Sequence, residues 1–205
     1  MIGELPSAPA ALRNRAPIAD VLRETLPGWG LVLEVASGTG EHSSFLAEQF
    51  PDLEFQPTDV AEETLDWLRE RRERSRLANL RAPVRLDASL AAWPVDHADA
   101  ILCINMVHIS PWEATLGLLR GAGRILPVGA PLILYGPYRR AGIPTAPSNE
   151  AFDESLRSRD PRWGLRDVET LTAEAKASSL AFDRLVEMPA NNLTLIYRKA
   201  ASDAV

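Results

Sequence analysis

Residues 31–60, LVLEVASGTGEHSSFLAEQFPDLEFQPTDV, gather side chains whose types and spacing suit one kind of chemistry. Glu34 puts a carboxylate near the end of an apolar run, and Ser37, Gly38, Thr39 and Gly40 follow directly. Gly38 and Gly40 let the backbone turn sharply and approach a ligand where a Cβ would collide. Asp59 stands about 20 residues beyond the turn, a spacing at which an acid accepts hydrogen bonds from both hydroxyls of a ribose. Strand, glycine turn, helix, strand and acid together form the half-unit that holds a nucleoside at the carboxyl edge of a parallel sheet. The same turn also occurs with no ligand at all, and Asp59 at its spacing tips the reading toward a nucleoside cofactor.

Two details favour S-adenosyl-L-methionine over a dinucleotide. A dinucleotide fingerprint reads G-x-G-x-x-G, its third glycine allowing close packing of helix on strand. Counting from Gly38, that position is Ser43. Counting from Ala36, the run reads A-x-G-x-G, with Glu34 ahead of it. An acid there sits badly beside a pyrophosphate but suits an ammonium and a sulfonium.

The elements that must position these groups follow from periodicity. Asn14 to Leu26 reads as a short helix closed by Pro27 and Gly28. Strands are expected at Leu31 to Ala36, Leu53 to Thr58, Val84 to Asp87, Asp99 to Asn105 and Leu132 to Tyr135. Helices are expected at Glu41 to Phe50, Thr64 to Ala78 and Trp112 to Leu126. Strand Asp99 to Asn105 is almost wholly apolar, as befits a parallel strand covered on both faces. After a polar stretch and a helix near Val168 to Ser178, strands Phe182 to Glu187 and Leu193 to Arg198 flank a turn at Met188 to Asn192. The expected fold is α/β: a doubly wound, mostly parallel seven-stranded sheet ending in a C-terminal antiparallel hairpin. One domain over 1–205 is expected, with an insertion at 137–166.

Bulk properties bound the function. The 205 residues are 46% hydrophobic, enough for a substantial core. No apolar run approaches the roughly 20 residues of a membrane span, and no secretory leader is read at the start, so a cytoplasmic protein is expected. The net charge of −6 argues against nucleic acid as a partner. The arginines between Arg69 and Arg76 alternate with Glu70 and Glu73 and read as a solvated helix face. Cys103 is the single cysteine and reads as a buried thiol, and no metal constellation stands out among the three histidines.

The stretches SAPAALRNRAPI, EVASGTGEH, NMVHISPW, LYGPY, PSNEAFDESLRSRDPRWGLRD and MPANNLTL resemble the methyltransferase-like family of domain of unknown function 938. The resemblance runs from about Ser7 to Arg198. It implies an S-adenosylmethionine-dependent methyltransferase fold and implies no substrate. Ala36 departs from the first glycine that many methyltransferases carry, at little cost in room.

Roles follow by position. Glu34, Ala36, Ser37, Gly38 and Gly40 are expected around the methionyl part, with Asp59 on the ribose. Asp87 ends the third strand, where methyltransferases commonly place an acid for the adenine amino group; it also fits a plain turn before Ala88 and Ser89. Asn105 ends the fourth strand, within reach of the methionyl group. His108, three residues further on, is a candidate general base, the alternative being a hydrogen bond to its own loop. Tyr138 is a second catalytic candidate and Tyr135 a candidate for orienting the acceptor, the alternative for either being a core aromatic with a satisfied hydroxyl. His42 is expected to orient the glycine turn, and His97 to lie at the surface. Thr145 to Gly164 is expected to hold a helix capped by Ser148 or Asn149. With Arg13 and Asn14, its Arg159 and Trp163 are candidate walls of an acceptor pocket, an arginine clamping a carboxylate, or Arg159 simply pairing with Asp160 or Asp153. The leading function is methyl transfer to a small molecule. A cofactor-binding protein without turnover, acting through protein partners, stands second. A NAD-dependent oxidoreductase is weaker, and oligomeric state is left open.

Overall fold

A computed structural model describes residues 5–201. Seven strands form one mixed sheet in the order β3-β2-β1-β4-β5-β7-β6. The strands are β1 Gly30–Val35, β2 Leu53–Asp59, β3 Val84–Arg85, β4 Ala100–Ile104, β5 Pro131–Gly136, β6 Leu180–Met188 and β7 Asn192–Lys199. All pairings from β3 to β5 are parallel, and β7 runs antiparallel to both β5 and β6. The hairpin therefore folds β7 in beside β5 and leaves β6 at the edge.

Side chains alternate between two cores, as the period of a strand dictates. Leu33, Ile101, Leu134 and Leu195 pack with Leu118, Leu119 and Ala122 of α4 (Trp112–Ile125) and Leu171 and Ala175 of α6 (Val168–Ala177). Val32, Leu102, Ile133 and Ile196 pack on the other face with Ile18 and Leu22 of α1 (Pro9–Thr25) and Leu46 of α2 (Glu41–Gln49). Cys103 is buried, and burial pushes its thiol up to about 12. Among the described residues no helix is long and apolar enough to cross a membrane.

Three elements differ from the reading of the sequence. Helix α1 starts at Pro9 rather than Asn14, because proline suits a first turn that needs no N–H and Ser7 and Ala8 are tied down by Glu41. Helix α5 runs Pro147–Arg159 with Ala146 at its cap, so Ser148 and Asn149 lie inside the first turn and cap nothing. Strand β3 holds only two residues, and Asp87 stands beyond it. Helix α3, Glu62–Ser75, completes the set.

Candidate functional site

The chain leaves β1 toward β2 on one side, while β4 takes the other, so a crevice opens outside the carboxyl ends of β1 and β4. Both exits are strained. Ala36 after β1 has φ 59° and Asn105 after β4 has φ 64°, in the left-handed region that costs an L-residue about 1–2 kcal/mol. The departure at Ala36 therefore costs backbone energy rather than room. Asn105 tolerates this conformation better than most residues. Gly38 and Gly40 share the region, with φ 55° and 74°. A Cβ on Gly40 would meet Leu68 Cδ2 at 2.6 Å, whereas one on Gly38 would meet nothing within 4 Å. A Cβ at the second glycine would push Leu68 aside and sit on a left-handed backbone, and the first faces open space.

Hydrogen bonds lock the exit of β1 to the end of β2. Ser37 N–H donates to Thr58 O at 2.7 Å, and Thr58 Oγ1 donates to Glu34 O at 2.8 Å. Asp59 Oδ2 accepts from Gly38 N at 3.1 Å and Oδ1 from Val60 N at 2.8 Å. Oδ1 also accepts from Ala61 N at 3.2 Å. Since a carboxylate has about four lone-pair sites, Asp59 keeps capacity for about one more donor, on the Oδ2 side.

Glu34 is fully buried. Burial pushes its carboxyl up to about 7, hydrogen bonds from Ser43 and Ser37 draw it down, and the Asp59 charge adds a small upward push. Ser43, which stands where a dinucleotide fingerprint wants glycine, has its hydroxyl on Glu34. The missing glycine and the buried acid are one local arrangement.

Two adjoining cavities line this edge. One of about 640 Å3 is bordered by Asp59, Val60, Asp87, Ala88, Glu113 and Trp163, among others. The other, about 370 Å3, is bordered by Glu34, Ser37, Gly38, His42 and Asn105, with Ala8, Ala10 and Ala11 of the N-terminal segment and α1. Ala36, Met106 and Ile109 border both. Asp87 is also a turn former, its Oδ1 accepting from Ser89 N and Ser89 Oγ at 2.9 and 2.6 Å.

The expected acceptor wall does not assemble as one unit. Asn14 bonds His42 Nε2 at 2.8 Å, and burial of His42 pushes its imidazole down to about 4. Tyr135 is buried, with its phenol raised by burial and partly drawn back by a hydrogen bond with Asn14. Arg13 is exposed and borders neither cavity. Arg159 is exposed too, its guanidinium 5.5 Å from the Trp163 ring centre. Its expected acid partners go elsewhere: Asp160 pairs with Arg162 at 2.7 Å, and Asp153 with Arg139 at 3.1 Å and Arg157 at 2.9 Å. Trp163 borders the same cavity as Asp59 and Asp87.

His108 and Tyr138 are buried against each other, ring centres 4.6 Å apart and edge to face. A 3-10 turn over Met106–His108 folds the imidazole back onto Gly136, where a Cβ would lie 2.4 Å from His108 Nε2. Burial and the Arg166 charge push His108 down to about 3. Neither residue borders the two cavities. A general base must come within hydrogen-bond reach of the proton it removes, and this imidazole is sealed from the cleft. His97 is exposed, 3.2 Å from Asp99.

Two residues at the site escaped the sequence reading. Arg71 lies in the cluster read as a solvated face, yet it is partly buried, donating to Thr39 O at 2.5 Å and Pro6 O at 3.1 Å. Glu41 is buried at the start of α2 and accepts from Ser7 Oγ at 2.9 Å and Ala8 N at 2.8 Å. Together they draw residues 6–8 across the glycine turn. The only local signal was an acid in a helix's first turn.

A family model described as "Protein of unknown function (DUF938)" matches residues 5–199. Among solved structures, an O-methyltransferase family protein from Burkholderia thailandensis is similar at TM-score 0.78 and 18% identity, over 95% of this chain and 58% of that one. CalO1, a methyltransferase in calicheamicin biosynthesis solved in its SAH-bound form, gives 0.75 and 19%, over 93% and 55%. YcgJ from Bacillus subtilis gives 0.71 and 15%, over 93% of this chain and 100% of its own. This chain spans under three fifths of the first two. At these identities the likeness is one of fold.

Proposed function

The chain belongs to the DUF938 family, and from that premise we propose that it is an S-adenosylmethionine-dependent methyltransferase acting on a small-molecule acceptor. The observation that carries the reading is the pair of adjoining cavities around the left-handed exits of β1 and β4, one beside Asp59 and Asp87, the other beside Glu34. The donor set fits the cofactor. Acids at Asp59 and Asp87 match ribose hydroxyls and an adenine amino group. Glu34 matches an ammonium, which favours its ionised form. Gly38 leaves room for a ligand against its backbone. The same Glu34 disfavours a pyrophosphate, and with it a NAD-dependent oxidoreductase.

Bound S-adenosylmethionine supplies a methyl group already activated on a sulfonium. The protein's task is then to align an acceptor and exclude water. Ser37, Gly38 and Asn105 hold the methionyl end, and Ala8, Ala10 and Ala11 keep water from it. No histidine at the cleft is suited to removing a proton at neutral pH. His42 is held neutral on Asn14, His108 is sealed, and Tyr138 borders a separate cavity beside Arg140 and Asn149 rather than this cleft. In this reading no histidine takes the acceptor's proton, which passes to solvent or to a carboxylate at the cleft. A carboxylate acceptor is disfavoured: among the described residues the one guanidinium bordering these cavities, Arg162, is already paired with Asp160.

The test is methyl-labelled S-adenosylmethionine with a panel of neutral thiols, phenols and amines, reading label transfer and S-adenosylhomocysteine release. Transfer to one class, abolished by Asp59→Ala, is expected. Tight S-adenosylhomocysteine binding without transfer to any class would favour the partner-acting, non-catalytic alternative.

A further inference from the structure

The connector between α5 and α6 was expected to wall an acceptor pocket, but its residues border the nucleoside cavity. Asp160, Arg162 and Trp163 share that cavity with Asp59, Val60, Asp87 and Ala88. We propose that Trp163 is a cofactor-contacting residue, its indole covering the adenine ring, and that residues 160–166 serve the cofactor rather than the acceptor. The inference rests on the function proposed above and adds a residue to its binding site.

The connector is fixed at several points. Gly164 N–H donates to His108 O at 3.0 Å. The half-buried Arg166 donates from Nε to Val107 O at 2.9 Å and from Nη2 to Ser110 O at 2.8 Å. Leu165 N–H donates to Asp153 Oδ1 at 2.7 Å. Gly164 has φ 142°, and a Cβ there would lie 2.6 Å from that same Asp153 oxygen, so only glycine lets the chain pass so close to α5. The segment is thereby clamped between the β4 exit and α5. The indole, half-buried and with the Arg159 guanidinium beside it, is held at the cavity wall.

The chemistry on that wall matches an adenosine. A base offers two apolar faces and an amino edge, and stacking on an aromatic side chain is favourable whatever the base. Trp163 supplies the aromatic plane, Asp87 an acceptor for the amino group and Asp59 an acceptor for the ribose. Asp160 and Arg162 pair with each other, which leaves the Arg159 guanidinium over the indole as the charge this connector region brings near the base.

The experiment titrates S-adenosylhomocysteine and adenosine into the wild type, Trp163→Ala and Trp163→Phe by calorimetry. Tryptophan emission is followed in parallel. Trp163→Ala is expected to weaken both ligands about tenfold, the scale of one lost stacking contact, and Trp163→Phe to keep wild-type affinity within about threefold. S-adenosylhomocysteine is expected to quench wild-type emission, with most of that quench lost in Trp163→Phe. Wild-type affinity in Trp163→Ala, or a full quench in Trp163→Phe, would overturn the inference alone. A wild-type protein that binds neither ligand would overturn it together with the function it rests on.

Discussion

The two edges of the sheet carry cavities of nearly the same size, about 640 Å3 at the carboxyl edge and about 650 Å3 at the amino edge. Their linings differ in what is left to bind. At the amino edge, Asp99 Oδ2 accepts from Leu31 N at 2.7 Å and its Oδ1 faces His97, while Glu54 pairs with Arg81. Its unusual backbone falls on Gly30, φ 119°, which needs no strain to adopt it. Of the non-glycine left-handed residues described, Arg76 and Ser179 follow helices α3 and α6, and Ala190 and Asn191 turn the β6–β7 hairpin. Ala36 and Asn105 border the carboxyl-edge cavities, where a carboxyl is also buried with its proton affinity raised. Backbone strain persists only where the surroundings hold it, and it gathers at functional sites. Volume does not distinguish the edges, and both cavities hold carboxylates; left-handed L-residues at the cavity wall and a buried acid do.

The largest effect that would break this contrast concerns Glu34. Its folded value of about 7 lies above the unfolded 4.5, so the folded state holds the proton more tightly. The stability Glu34 contributes is therefore fully present below pH 4.5 and falls by up to about 3 kcal/mol as pH rises through 7. In Glu34→Gln that loss disappears. Urea unfolding from pH 4.5 to 8 should show the variant gaining on the wild type throughout the window. A constant difference between the two would make Glu34 an ordinary carboxylate.

The next effect separates the edges directly. Asp99→Ala strands the Leu31 amide and should cost about 1–2 kcal/mol of stability, read by urea unfolding, while leaving S-adenosylhomocysteine affinity within twofold. A matching loss of affinity would make the amino edge part of the site.

The elements that frame these contrasts were legible wherever the pattern was local. The apolar runs of β1, β4 and β5 and the spacing from Gly38 to Asp59 are properties of short windows, and the structure brings Glu34, Ser37, Gly38, Asp59, Asp87 and Asn105 to one edge. What escaped depends on chain segments far apart. Arg71 reaches Thr39 and Pro6, and Glu41 holds Ser7 and Ala8, contacts that no periodicity encodes. His108 does sit past the end of β4, but one short turn decides whether its ring faces the cleft or Gly136. The side taken by the connector of Trp163 is set by Arg166 and Gly164 on the β4 exit, again beyond local reach.

A smaller effect sharpens the strain argument. Ala36→Gly relieves a left-handed alanine and gives part of the gain back as unfolded-chain entropy, so it should stabilise by about 0.5 kcal/mol. Gly30→Ala at the other edge should destabilise, since its Cβ would lie 2.3 Å from Asp99 Oδ2. Thermal unfolding of the pair reads both signs.

The account turns on the carboxyl edge being an S-adenosyl site, and calorimetric titration with S-adenosylhomocysteine and NAD tests that most directly. Wild type, Asp59→Ala at the carboxyl edge and Glu54→Ala at the amino edge would be compared. Micromolar S-adenosylhomocysteine binding is expected, weakened at least about tenfold by Asp59→Ala and untouched by Glu54→Ala, with no NAD signal. Tight NAD binding, or S-adenosylhomocysteine binding indifferent to Asp59, would contradict it.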